Sequence, residues 1–104
     1  MPTLDQLQRL LAADPSDAFV LYAIAQEHAK AHSHALAVEF FDKCIAADAA
    51  YVYAYYHKAK VLLGRGDRAG ALAAANAGLA KARAIAEAHA VGELLTLIDD
   101  IEEG

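Results

Sequence analysis

This chain of 104 residues has a single cysteine, which leaves no disulfide framework and points to a reducing, cytoplasmic setting. Basic residues are also few: nine Lys and Arg stand against fourteen Asp and Glu, for a net charge of −5. Asp99, Asp100, Glu102 and Glu103 supply most of that excess. The body is therefore close to neutral and the end acidic, with no basic stripe to neutralise phosphates, so no nucleic acid partner is expected. No apolar run has the length to span a bilayer, since Asn76 and Lys81 interrupt the best one. The opening Met1-Pro2-Thr3-Leu4-Asp5 lacks the basic and apolar regions of a signal peptide, and no membrane partner is expected. No glycine-rich loop follows a strand pattern; Gly64-Arg65-Gly66-Asp67 reads as a turn between helices, not a phosphate cradle. No serine or cysteine has a base and an acid in a plausible constellation, so the chain offers no catalytic residue and implies no cofactor.

What the chain does have is alanine, about a quarter of all residues, within an apolar content of 58 %. Alanine is the best helix former and leaves little bulk between helices, so the composition predicts closely packed helices in one domain. Thr3 to Gln6 has capping-box spacing ahead of the stripe Leu4, Leu7, Leu10 and Leu11, giving a helix over 3–13. Asp14-Pro15 ends it and starts a helix over 16–31, with Val20, Leu21, Ile24, Ala25 and His28 on one side. Ser33 is the expected N-cap for 34–47, whose apolar face is Ala37, Val38, Phe41, Cys44 and Ile45. Further helices are expected over 51–64, 68–84 and 87–102, with Gly66-Asp67 closing one and capping the next. Neither Gly nor Pro lies between 82 and 90, so the last two segments read equally as one bent rod.

Shifting the chain against itself by 34 residues places Asp14 on Asp48, Ala18 on Val52, Leu21 on Tyr55, Ala25 on Ala59 and Ala37 on Ala71. A repeat of that length built from two helices cannot bury its apolar face alone and has to stack. The pattern resembles the tetratricopeptide repeat (TPR). Residues 18–51 supply Leu21, Ile24-Ala25, His28, Ala37, Phe41 and Cys44 at the signature positions; residues 52–85 supply Tyr55, Lys58-Ala59, Leu62, Ala71, Ala75 and Gly78. The expected fold is an all-α superhelix of two TPR-like units, with an N-terminal capping helix in 1–15 and a C-terminal one in 86–104. Small residues at 25, 37, 59 and 71 let paired helices approach closely, while Cys44 and Gly78 leave room for the next helix. Lys58 in an apolar slot, Ala75 in an aromatic one and the absent proline after each second helix depart from the family pattern.

The resemblance implies a concave wall made by the first helix of each unit, facing a protein or peptide partner. Its positions correspond to Phe19, Tyr22, Gln26, Ala29 and Lys30, then to Tyr53, Tyr56, Lys60 and Leu63, with His57 at the edge. Helical spacing agrees: Tyr22, Gln26 and Ala29, like Tyr56, Lys60 and Leu63, lie off the core stripe. Four tyrosines crowd into Tyr51-Val52-Tyr53-Ala54-Tyr55-Tyr56, more than one helix can bury, and tyrosine suits recognition surfaces. Lys30 and Lys60 can receive an acidic side chain or a terminal carboxylate. The alternative is that these rings only pack between repeats. The carboxylate clamp of some TPR domains, resembling a set of Lys, Asn and Arg across three repeats, is met here only by Gln26 and Lys60. A second copy of the chain is a rival occupant, making a homodimer. His28, His32 and His34 form a His-x3-His-x-His spacing that can bind metal, but no further ligand stands nearby and no metal site is expected. Cys44, on a core face, is expected to act as a small hydrophobe.

Overall fold

Six α-helices in succession make up the described residues: α1 (Leu4–Ala13), α2 (Ala18–Lys30), α3 (His34–Ala47), α4 (Val52–Gly64), α5 (Arg68–Ala84) and α6 (Ala88–Glu103). The structure is a computed structural model describing residues 2–104; Met1, the first residue of the expected N-terminal segment, lies outside them. Short polar side chains cap the starts of α1, α2 and α5. At Thr3 the capping box forms: Thr3 Oγ1 accepts from the Gln6 amide at 3.2 Å and Gln6 Oε1 accepts from the Thr3 amide at 2.9 Å. Asp17 accepts from the Val20 amide, so α2 begins at Ala18, two residues later than expected, and Pro15 stays in the turn.

The 34-residue period is visible in the corners. Asp14 and Asp48 close their preceding helices with their own amides, and each carboxylate accepts from the amide two residues on, Ser16 at 3.3 Å and Ala50 at 3.0 Å. The intra-pair turns repeat as well. His32 and Gly66 both have positive φ, with Ser33 donating back to the His28 carbonyl and Asp67 to that of Leu62. This is the six-to-one closure that ends helices through a left-handed residue. Asp67 and Ser33 share nearly the same backbone (ψ 77° and 70°), yet only Asp67 caps its helix, accepting from Gly70 at 2.8 Å. The expected Ser33 cap is not made: at ψ 70° its hydroxyl does not meet the first-turn amides, whereas the equally short Thr3 hydroxyl, on extended backbone at ψ 162°, does.

The last two helices are separate. Ala86 takes φ 58° and Glu87 donates to the Ala82 carbonyl at 2.9 Å, the same closure a third time. Alanine resists this conformation by about 1 kcal/mol, which is why the sequence shows no stop signal there. Burial of Ala90, Leu94, Leu97, Ile98 and Ile101 on α6 offsets that cost.

Close helix pairing rests on small residues. Ala25 and Ala37 are fully buried in one cluster with Leu21, Phe41 and Cys44; Ala59, Ala71 and Ala75 are fully buried in another. A Cβ placed on Gly78 would lie 2.7 Å from Tyr55 Cβ and 3.3 Å from Leu94 Cδ2, so α5 has no room there for a side chain between it and α4. Lys58 escapes its apolar slot by reaching across to Asp42 on α3, Nζ to Oδ1 2.6 Å. Each helix packs on its successor, and α2 also touches α4 as α4 touches α6, whereas α1, α3 and α5 do not touch one another. The stack therefore curves, with α2, α4 and α6 on its inner side. No helix among the described residues is long and apolar enough to cross a membrane.

Candidate binding groove

The inner wall carries an aromatic tier. Helical phase puts Tyr22 of α2 opposite the α3–α4 corner, where its ring stands 4.9 Å from Tyr51 and edge-on to Phe41 at 6.0 Å and His57 at 5.8 Å. His57 stacks on Phe41 at 6.3 Å and meets Tyr56 edge-on at 5.1 Å; Tyr56 in turn meets Tyr53 at 6.1 Å. Edge-to-face packing of this kind satisfies ring quadrupoles and holds the rings in place. Of the four crowded tyrosines only Tyr55 turns fully inward, donating its hydroxyl to the Ala49 carbonyl at 2.8 Å and so fastening the corner; Tyr51, Tyr53 and Tyr56 are half-buried.

Two clefts flank this tier. One, about 350 Å³, opens between α2 and α4 and is lined by Gln26, Ala29, Lys30, His34, His57, Lys60, Val61 and Gly64. The other, about 520 Å³, opens between α4 and α6 and is lined by Tyr56, Lys60, Ala88, His89, Gly92, Glu93, Thr96, Leu97 and Asp100. Lys60 lies at the junction of both, with Nζ 5.6 Å above the Tyr56 ring.

Polar contacts orient the walls. Gln26 Nε2 donates to the Tyr22 hydroxyl at 3.2 Å, and Lys30 pairs with Glu27 at 3.0 Å. Tyr53 donates to Glu93 Oε1 at 3.1 Å, and Glu93 also pairs with His89 one turn earlier. Burial, then Tyr51, pushes the Tyr22 phenol up to about 12. Tyr53 is raised by burial and by its bond to Glu93, while His57 is lowered by burial and then by the Lys60 charge.

The positions anticipated from sequence fall as follows. Tyr22, Gln26, Ala29, Lys30, Tyr56, His57 and Lys60 lie in or beside the two clefts, and Tyr53 sits at the α4–α6 junction through Glu93. Phe19 stands at the start of α2, 65 % exposed, and lines neither cleft. Leu63 turns toward the hydrophobic core instead, and Val61 with Gly64 lines the cleft in its place. The rival view of the rings also has substance, because Tyr22, Tyr51 and His57 join neighbouring helix pairs. Sequence reasoning missed α6 as a third wall. Its inner residues His89, Glu93, Thr96 and Asp100 repeat the spacing of Tyr22, Gln26 and Ala29, but reading the helix as a cap hid that signal.

The His28, His32 and His34 spacing does not converge. His28 packs on the Phe40 ring at 5.5 Å, His32 and His34 lie 6.0 Å apart edge-on, and among the described residues no three His, Cys, Asp or Glu side chains are placed to share a metal. Cys44 is fully buried, and burial pushes its thiol up to about 11.

No protein-family model matches the sequence, and no curated protein matches it. Solved structures are similar. A tetratricopeptide repeat domain protein from Salinibacter ruber is 30 % identical, covering 86 % of this chain and 91 % of its own length, with a TM-score of 0.80. The TPR2B domain of yeast Sti1, in its complex with pHsp70, superposes with a TM-score of 0.90 at 23 % identity, covering 96 % of this chain and 80 % of that one. PcrH, in complex with the chaperone binding region of PopD, gives 0.89 at 18 % identity, covering 96 % and 76 %. At those identities the last two establish the fold alone.

Proposed function

This chain belongs to the tetratricopeptide repeat family, and from that premise we propose that it is a non-catalytic module holding an extended segment of a partner protein against α2, α4 and α6. The observation that carries the reading is the row of half-buried rings Tyr22, Tyr53 and Tyr56 with His57, flanked by clefts on both sides and crossed by Lys60. Rings already fixed by their neighbours bind with little further loss of rotamer freedom. Cleft-lining Gln26 and Lys30 supply donors that an extended backbone can use. Phe19, exposed at the mouth of the wall, extends the apolar surface beyond the clefts. That two structural neighbours were solved with partner segments adds analogy.

The test is capture of partners from the native cell by the intact protein and by Tyr56→Ala, with Gln26→Ala as a second variant. Tyr22→Ala is a poorer probe because Tyr22 also packs on Phe41 and Tyr51. A specific partner retained by the parent and lost by Tyr56→Ala, at unchanged helicity, supports the groove; equal retention sinks it. A second copy is the rival occupant, favoured by the exposed Phe19 ring. A dimer in dilute light scattering that dissociates on Tyr56→Ala and Phe19→Ser substitution would replace the partner reading with self-association.

A further inference from the structure

The two clefts differ in charge, and this names the chemistry of the segment. No carboxylate lines the α2–α4 cleft; it presents the Gln26 amide, Lys30, His34 and Lys60. Glu93 and Asp100 line the α4–α6 cleft beside the Tyr56 ring, together with His89 and with Lys60, which the two clefts share. Lys30 is engaged by Glu27, but among the described residues Lys60 has no carboxylate partner and Asp100 has no cation. Two charged groups of opposite sign, Lys60 at the junction of the clefts and Asp100 in the α4–α6 cleft, therefore lack an opposite charge within the described residues and can take one from a ligand. Glu93 is held in place by Tyr53, so it is oriented before anything binds.

Resting on the groove reading, we propose that the occupant is a bipolar peptide segment, with a basic side chain seated between α4 and α6 against Glu93 and Asp100 and an acidic side chain seated between α2 and α4 against Lys60 and Gln26. Axes of packed helices lie about 10 Å apart, which an extended chain covers in about three residues. The segment thus carries its two charges about three positions apart, in one order only. This polarity sets direction and register more than raw affinity.

Selection of a random dodecapeptide library against the folded protein at low salt tests this. Enriched sequences pair Arg or Lys with Asp or Glu about three residues apart. A synthetic peptide from that set loses about fivefold in affinity on Glu93→Gln with Asp100→Asn, a change of about 1 kcal/mol suited to a solvent-accessible pair. The same peptide with its basic residue replaced by glutamine is indifferent to those substitutions, and Lys60→Gln shows the mirror effect with the acidic residue. Enriched peptides that are purely acidic or uncharged, yet are displaced by Tyr56→Ala, overturn the polarity and leave the groove reading standing. No enrichment against protein of native helicity overturns both.

Discussion

Gly78→Ala is expected to destabilise this protein although alanine is the better helix former. In an open helix the exchange would gain about 1 kcal/mol. At Gly78 the new methyl would lie 2.7 Å from Tyr55 Cβ, about 1 Å inside normal carbon contact, and 3.3 Å from Leu94 Cδ2. Tyr55 cannot yield easily: its Cβ is fixed to the α4 backbone and its hydroxyl is tied to Ala49 at 2.8 Å. Separating α5 from α4 costs about 1–3 kcal/mol as overpacking, so the net loss is about 1 kcal/mol, or roughly 4–8 °C in melting temperature for a domain of this size. Gly92→Ala is the internal control, being helical with nothing within 4 Å of its added Cβ, and it is expected to gain about 0.5–1 kcal/mol. Urea denaturation followed by circular dichroism gives both values. Gly78→Ala as stable as the parent would show that the α4–α5 pairing does not need a bare backbone at this point.

Ala86→Gly is expected to stabilise by about 0.5–1 kcal/mol, because glycine accepts the φ of 58° that alanine resists; thermal melts check it. Arg68→Ala removes donors from the Ile101 and Glu102 carbonyls at the end of α6, costing about 1 kcal/mol and speeding amide exchange in the last turn. Because burial and Lys60 lower the His57 pKa in the folded state, the unfolded chain takes up that proton first; stability is therefore full above the ordinary histidine value of 6.5 and falls as pH drops below it. A His57→Gln variant titrated alongside should lack that component of the acid sensitivity. Cys44, enclosed and with its thiol near 11, is expected to react with a disulfide reagent at pH 8 only as fast as the protein unfolds.

Much of this architecture was legible along the chain. The Thr3 to Gln6 box, the Asp14 and Asp48 corners and the Gly66-Asp67 turn are local devices whose geometry depends on a few neighbouring residues, so their sequence signals carry directly into structure. The Ala25, Ala37, Ala59 and Ala71 positions were readable because close approach excludes bulk. The start of α2 at Ala18 was not, because Asp17 competed with Pro15 for the first turn. Nor was the break at Ala86, where a residue that prefers helix is held outside it by burial elsewhere on α6. Lys58 reads as an error in an apolar slot until Asp42 is found across the α3–α4 packing.

The groove divides in the same way. The family resemblance, with helical phase in agreement, brought out Tyr22, Gln26, Tyr56 and Lys60, since residues three and four apart share a face whatever the surroundings. Phe19 and Leu63 share that phase, yet Phe19 lies outside both clefts and Leu63 turns to the core. Whether a helix face meets solvent, core or a neighbouring helix depends on where the next helix lands. The 34-residue period, the small crossing residues and the turn chemistry determined from the sequence that helix pairs stack. That α6 completes the wall, and that its Glu93 and Asp100 oppose Lys60, was decided only by tertiary packing, since distant segments become neighbours through the curvature of the whole stack.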